Sequence, residues 1–159
     1  MKRSSVSHMN CSVARSLEIV GEWWTLLIVR NIMLGQRRFE AIQADLGIAR
    51  NILSDRLTTL VGAGVIERIK YQDHPERFEY HLTEKGRDLY PVIAALMAWG
   101  DKWESPDGPP LVMRHTCAGR GDAVLVCSAC GEPMELGVVR AKAGPGMRRV
   151  AAAESVTTA

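Results

Sequence analysis

The sequence predicts an α+β fold, mostly α, and three observations carry that expectation. Aliphatic residues recur at helical spacing through most of residues 12–60 and again over 89–103. Between those stretches, over residues 65–82, the pattern changes to strand-like runs. A breaker run, Ser105-Pro106-Asp107-Gly108-Pro109-Pro110, then closes the periodic part, because it can hold neither a helix nor a central strand. The chain therefore divides into a domain over 1–103, a linker over 104–110, a short cysteine-bearing module over 111–139 and a disordered tail over 140–159. No internal repeat is visible.

Each element has a local reason. Ser12 to Val20 places Val13, Leu17 and Val20 on one helical face. Thr25 is read as the N-cap of a second helix whose body, with Leu26, Leu27, Val29, Ile32 and Met33, is almost wholly apolar. Gly35 ends it in a left-handed turn. Arg38 to Leu46 is a short third helix with Phe39, Ile42 and Leu46 inward. After Gly47 a fourth helix starts near Ala49 and repeats Leu53, Leu57 and Leu60. Beyond Gly62-Ala63-Gly64, Val65–Tyr71 reads as a strand and Phe78–Leu82 as its antiparallel partner, with Gln72–Arg77 as a polar tip. Thr83 caps a long helix carrying Leu89, Val92, Ile93, Leu96, Trp99 and Trp103, which Pro91 should kink or loosen by a turn.

Composition bounds the function. In 159 residues, 47% are hydrophobic and 24% charged, which suits an ordinary folded core. A net charge of +2 excludes a histone-like basic arm but not a nucleic-acid binder with locally placed arginines. No apolar run approaches the ~18 residues of a membrane span, and Met1-Lys2-Arg3-Ser4-Ser5 leads into polar sequence rather than a signal region. The expected location is cytoplasmic and nucleoid-associated, with no membrane partner. The cysteines agree with it: Cys11 stands alone, and Cys117, Cys127 and Cys130 cluster late, unlike a secreted disulfide framework.

Two short helices joined by a tight glycine turn and followed by a β-hairpin make a winged helix-turn-helix. Its second helix buries an apolar stripe and offers a polar face to the major groove, while the hairpin reaches phosphates or the minor groove. With Leu53, Leu57 and Leu60 inward, Arg50, Asn51 and Ser54 lie near the exposed N-terminal end. Arg and Asn suit bidentate contacts with guanine and adenine. Arg56 is a further contact on that helix, with Asp55 read as orienting a neighbouring arginine. Arg77 is the leading contact on the hairpin, with Lys70 and His74 behind it. Arg38 is either a phosphate contact or a structural salt bridge. Together with Arg50, Asn51, Ser54, Arg56, Lys70, His74 and Arg77 it completes the expected interface with double-stranded DNA.

The residues also resemble a known family, the HxlR-type transcriptional regulators related to the MarR group. The resemblance covers about residues 11–103. It rests on Cys11, Gly21-Glu22-Trp23-Trp24-Thr25-Leu26-Leu27-Ile28, Gly35, Arg38-Phe39, Leu46-Gly47-Ile48, Leu53 with Arg56-Leu57, Gly64-Val65-Ile66-Glu67-Arg68, Tyr80-His81-Leu82-Thr83-Glu84-Lys85-Gly86 and Trp99-Gly100, in this order and spacing. It implies a homodimeric, sequence-specific regulator, usually a repressor, that dimerises through its terminal helices and reads an inverted repeat. The sequence independently supplies the apolar face for this, since Val13, Leu17, Leu96, Trp99 and Trp103 exceed what a small domain can cover. Two positions depart from the pattern: Trp23 stands where many relatives carry a basic residue, and Ala49 where a serine cap is common.

The family often carries an N-terminal cysteine that in some members senses electrophiles or oxidants, which implies that role for Cys11. A helix N-terminus favours a thiolate, and Arg15 could add to that; a small buried interface residue is the alternative. In the late cluster, Cys127-Ser128-Ala129-Cys130-Gly131 has the form of a zinc knuckle, and His115 with Cys117 is the nearest source of two further ligands. One structural zinc in a zinc-ribbon-like segment, with Ala123–Val126 as its strand, is the expectation. A reversible Cys127–Cys130 disulfide is the alternative. A metalloenzyme would need an open metal position and a base, and only Glu132 and Glu135 are near, so no enzymatic activity is expected. The sequence thus points to a winged-helix repressor released from DNA by a thiol-reactive or small-molecule signal. A winged-helix and zinc-ribbon protein-interaction module is the rival.

Overall fold

A computed structural model describes residues 5–6, 8–117 and 123–147. Its elements run α1 (Ser12–Val20), α2 (Trp23–Met33), α3 (Phe39–Leu46), α4 (Arg50–Gly62), β1 (Ile66–Gln72), β2 (Arg77–Leu82), α5 (Glu84–Arg87) and α6 (Tyr90–Trp103). The fold is mostly helical with one two-stranded antiparallel sheet, a winged helix-turn-helix. Among the described residues no helix is long and apolar enough to cross a membrane.

The core joins Ile28, Val29 and Ile32 of α2, Ile42 of α3, Leu53, Leu57 and Leu60 of α4, Val65 and Ile66 at the start of the wing, and Ile93 of α6. Burial of such side chains is the main favourable term in holding the helices together. The turn between α3 and α4 follows from two residues. Gly47 takes φ +61, a left-handed conformation that costs glycine nothing, and Ile48 inserts into the core immediately after it. That pair fixes the angle at which α4 leaves the body.

A second joint ties the wing to α5. Thr83 donates its hydroxyl to the Gly64 carbonyl at 2.7 Å and accepts from the Gly86 amide at 3.2 Å. Gly86 is needed because a Cβ there would stand 2.1 Å from the Val65 carbonyl oxygen.

Three expectations change. Thr25 does not cap α2; Glu22 occupies the N-cap, and Thr25 lies buried one turn in, its hydroxyl without a hydrogen-bond partner. The helix expected from Thr83 onward is two helices, broken at Asp88-Leu89 with Pro91 in the first turn of α6. Proline lacks the amide and clashes with the carbonyl four residues back, so it starts a helix more readily than it continues one. Among the described residues Ala123–Val126 forms no strand, and Val126 makes an isolated bridge with Pro133. Residues 140–147 are irregular and exposed, and the rest of the expected tail, 148–159, lies outside the described residues.

Candidate nucleic-acid interface

α4 buries Leu53, Leu57 and Leu60 and leaves Arg50, Asn51 and Ser54 exposed on its first turns. Ala49 at the N-cap gives no side-chain hydrogen bond to the first-turn amides. Arg50 stacks its guanidinium over the Phe39 ring, 4.7 Å from the centroid. That contact aims a long side chain before any ligand arrives, which lowers the entropy lost on binding. Arg56 is half-buried and ion-paired with the adjacent Asp55, so Asp55 does orient an arginine, and Arg56 is less free than Arg50.

The wing projects beyond the body: after Ile66, the β1 residues Glu67 to Tyr71 are all exposed. Arg77 is exposed beside the tip at the start of β2. Lys70 is held by Glu76 at 2.5 Å and Asp73 at 3.6 Å, and the same lysine holds the Glu76 carboxyl below its ordinary range. His74 is exposed at the tip. Arg68 was not among the sequence candidates, yet it is exposed over Phe78 at 4.0 Å. Its position two residues before Lys70 on one strand face was the available signal.

Arg38 makes the salt bridge that was one of its two expected roles. Its Nε donates to Glu79 Oε1 at 2.9 Å and its guanidinium lies 4.5 Å from the Tyr71 ring. The hydrogen bond raises the Arg38 pKa and, in return, holds the Glu79 carboxyl low. Tyr80 also donates its amide to the Arg37 carbonyl at 2.8 Å. The start of α3 is thereby stitched to the wing, which sets the hairpin relative to α4.

Sequence reasoning also missed Asn31. It is buried within α2, accepts from Arg30 and donates to Gln36 at 3.1 Å and to Asp45 at 2.8 Å. A lone asparagine in an apolar helix was the signal, since a buried amide must find partners. This network pins α2 to α3, the helix that braces α4.

Away from α4, an apolar face stays exposed. On α6, Leu96 is 51%, Trp99 58% and Trp103 63% accessible, and on α1 Val13 and Leu17 are exposed too. Cys11 is the half-buried N-cap of α1. Arg15 donates to the Asn10 side chain at 2.9 Å.

In the late cluster Cys127 and Cys130 share one turn, and His115 accepts from the Cys117 amide at 3.3 Å. Among the described residues no group of three or more His, Cys, Asp or Glu side chains is gathered closely enough to hold a metal. The segment instead runs along α6. Leu111, Met113, Val124 and Leu125 wall a cavity of about 430 Å³ against Tyr90, Ala94 and Ala98.

A short helix pair, a second helix with an exposed polar face and a projecting β-hairpin are the architecture of a DNA-binding transcriptional regulator. The HxlR-like helix-turn-helix family model matches residues 19–108, and the chain belongs to that family. It is 48% identical over 139 residues to the HTH-type transcriptional regulator Rv3095 of Mycobacterium tuberculosis, covering 86% of this chain and 88% of the relative. The solved structure of PA1607, a proposed transcription factor, superposes with a TM-score of 0.78 at 33% identity, over 87% of this chain and 99% of that one. The redox regulator HypR in its oxidized form superposes at 0.50 and 29% identity, over 58% of this chain and 96% of its own.

Proposed function

We propose that this regulator is a repressor that binds an inverted repeat in double-stranded DNA as a homodimer and is released by oxidation or alkylation of Cys11. The observation that carries the reading is α4, which presents Arg50, Asn51 and Ser54 on an exposed face over a buried leucine stripe. Those side chains enter the major groove, with Arg77 and Arg68 of the wing at neighbouring phosphates. The exposed face of Val13, Leu17, Leu96, Trp99 and Trp103 supports pairing of two copies. A two-fold dimer places its recognition helices about one DNA turn apart, roughly 34–36 Å, which makes the operator an inverted repeat.

Cys11 sits at the start of α1, on the helix that carries Val13 and Leu17. An adduct there alters the packing of the paired helices and hence the separation of the two α4 helices. The likeness to HypR, a redox regulator, supports a thiol signal. A small-molecule signal is the second reading, favoured by the cavity of about 430 Å³ that abuts α6.

The test is competition binding of the reduced protein to its own upstream DNA against a shuffled duplex at physiological salt. Preference of the order of a thousandfold is expected. Equal weak binding to both, or none, would favour a protein-interaction module instead. Loss of operator binding on diamide treatment, abolished by Cys11→Ser, is the matching result for the signal.

A further inference from the structure

The turn carrying Cys127 and Cys130 is built more tightly than its exposure requires. The Cys127 amide donates to the Glu132 carbonyl at 2.8 Å, and the Gly131 amide donates back to the Cys127 carbonyl at 2.8 Å. Gly131 takes φ +78, which turns the chain immediately after Cys130. Within that turn the amides of Ala129 and Cys130 and the thiol of Cys130 all hydrogen-bond the Cys127 sulfur, and they push its pKa down. Donors aimed at sulfur stabilise the thiolate, the form that reacts. Cys127 is half-buried and Cys130 exposed, so a small oxidant reaches both.

Such a turn can hold two thiolates for a metal or become a disulfide. A closed tetrahedral thiolate site needs four ligands. Here the turn supplies two thiols, and among the described residues no third histidine, cysteine or carboxylate completes a metal group.

We propose that Cys127 and Cys130 form a peroxide-reactive dithiol, separate from Cys11, that closes reversibly into an intramolecular disulfide. The Cys127 thiol first ionises, giving its proton to water; the thiolate attacks a hydroperoxide, an S–O bond forms as the O–O bond breaks, and the departing alkoxide takes that proton back from water and leaves as an alcohol, or as water from hydrogen peroxide. Cys127 is then a sulfenic acid, oxidised by two electrons. The Cys130 sulfur attacks it, forming the S–S bond as the S–O bond breaks, and the hydroxide leaves as water with the Cys130 proton. In sum two thiols and one hydroperoxide give one disulfide, one alcohol and one water. A dithiol reductant reverses it by exchange. The roles are unequal: Cys127 is the nucleophile because the amides point at its sulfur, and Cys130 resolves.

The site is adjacent to α6. Leu125 accepts from the Met134 amide across the hairpin, and Leu125 and Val124 line the cavity against that helix.

The test uses the full chain carrying Cys11→Ser, so that failure of the Cys11 reading cannot be mistaken for failure here. After reduction and buffer exchange, thiols are titrated before and after a small excess of hydrogen peroxide, and the products are mapped by peptide mass. The expected result is loss of two thiols, a peptide linking Cys127 to Cys130, and full recovery with dithiothreitol. Cys130→Ser should then give a dimedone adduct at Cys127, whereas Cys127→Ser should give at least tenfold less adduct at Cys130. Three outcomes overturn the proposal: retention of all thiols, a disulfide to Cys117 instead, or one equivalent of tightly bound zinc in the protein as purified that protects Cys127 and Cys130 from peroxide.

Discussion

Two regions of this chain are held in shape by different physics. Between α1 and α6, Ile28, Ile42, Leu53 and Leu60 are fully excluded from solvent, and every helix except the short α5 contributes an apolar side to one core. Past the Pro109-Pro110 break, no described residue is buried; Leu136 is wholly exposed, and the hairpin around Cys127 is held by backbone hydrogen bonds and one bridge. HypR is matched over 96% of its own length by 58% of this chain. PA1607 matches across 87% of the chain. The body is thus held by side-chain burial, and the extension is shaped by turn chemistry and by leaning on α6.

The sharpest way to break that contrast is to delete side-chain volume on both sides of it. Leu57→Ala, at a site 2% accessible, should cost about 2–5 kcal/mol, because lost transfer energy and an unfilled cavity add. Val126→Ala, in the half-exposed hairpin, should cost about 0.5 kcal/mol or less. Urea unfolding midpoints of the two variants measure the difference. Equal losses would mean the extension shares the core's cooperativity.

The functional counterpart concerns which basic residues are free to bind. Arg50→Ala should weaken operator binding by about 1–3 kcal/mol and relax specificity at one base pair. Lys70→Ala should weaken it less, since Glu76 and Asp73 already hold that ammonium. Titrations on operator and mutated operator separate base readout from phosphate contact, and a larger effect at Lys70 would put the wing ahead of α4.

Most of the body was readable because its signals are local. The spacing of Leu53, Leu57 and Leu60, Gly47 at the turn and the polar hairpin tip each act within a few residues. What was not readable depends on partners far apart in sequence. Arg38 meets Glu79 only once α3 and the wing are packed, and Asn31 meets Asp45 only across two helices. Thr25 misled because a threonine before an apolar run is the sequence form of a cap, yet the helix starts earlier and takes it inside. In the extension, Cys127-x-x-Cys130-Gly131 fixed the turn locally, but nothing local says whether His115 and Cys117 come to meet it.

A smaller effect tests the joint between wing and α5. Thr83→Ala removes both the bond to Gly64 and the cap on Gly86, and should cost about 1 kcal/mol. Thr83→Ser keeps both bonds and should recover most of it. If serine does no better than alanine, the threonine methyl rather than its hydroxyl holds the joint.

The smallest expected effect is a pH dependence confined to the body. Asp45 accepts from Asn31, and that bond, with help from Gln36 and the Arg30 charge, holds its carboxyl below the ordinary value. A group depressed in the folded state adds stability above its unfolded pKa, near 4, and loses that contribution as pH falls through the folded value. Asp45→Asn removes the titrating group, so the variant should be less stable than the parent at pH 7 and approach it as pH falls below that unfolded value. Because Asp45 is partly exposed, water screens the interaction and the gap at pH 7 should be small. Urea midpoints at those pH values measure it. A gap that stays constant with pH would mean that Asn31 supports α3 by shape alone and that the Asp45 charge contributes nothing to the brace behind α4.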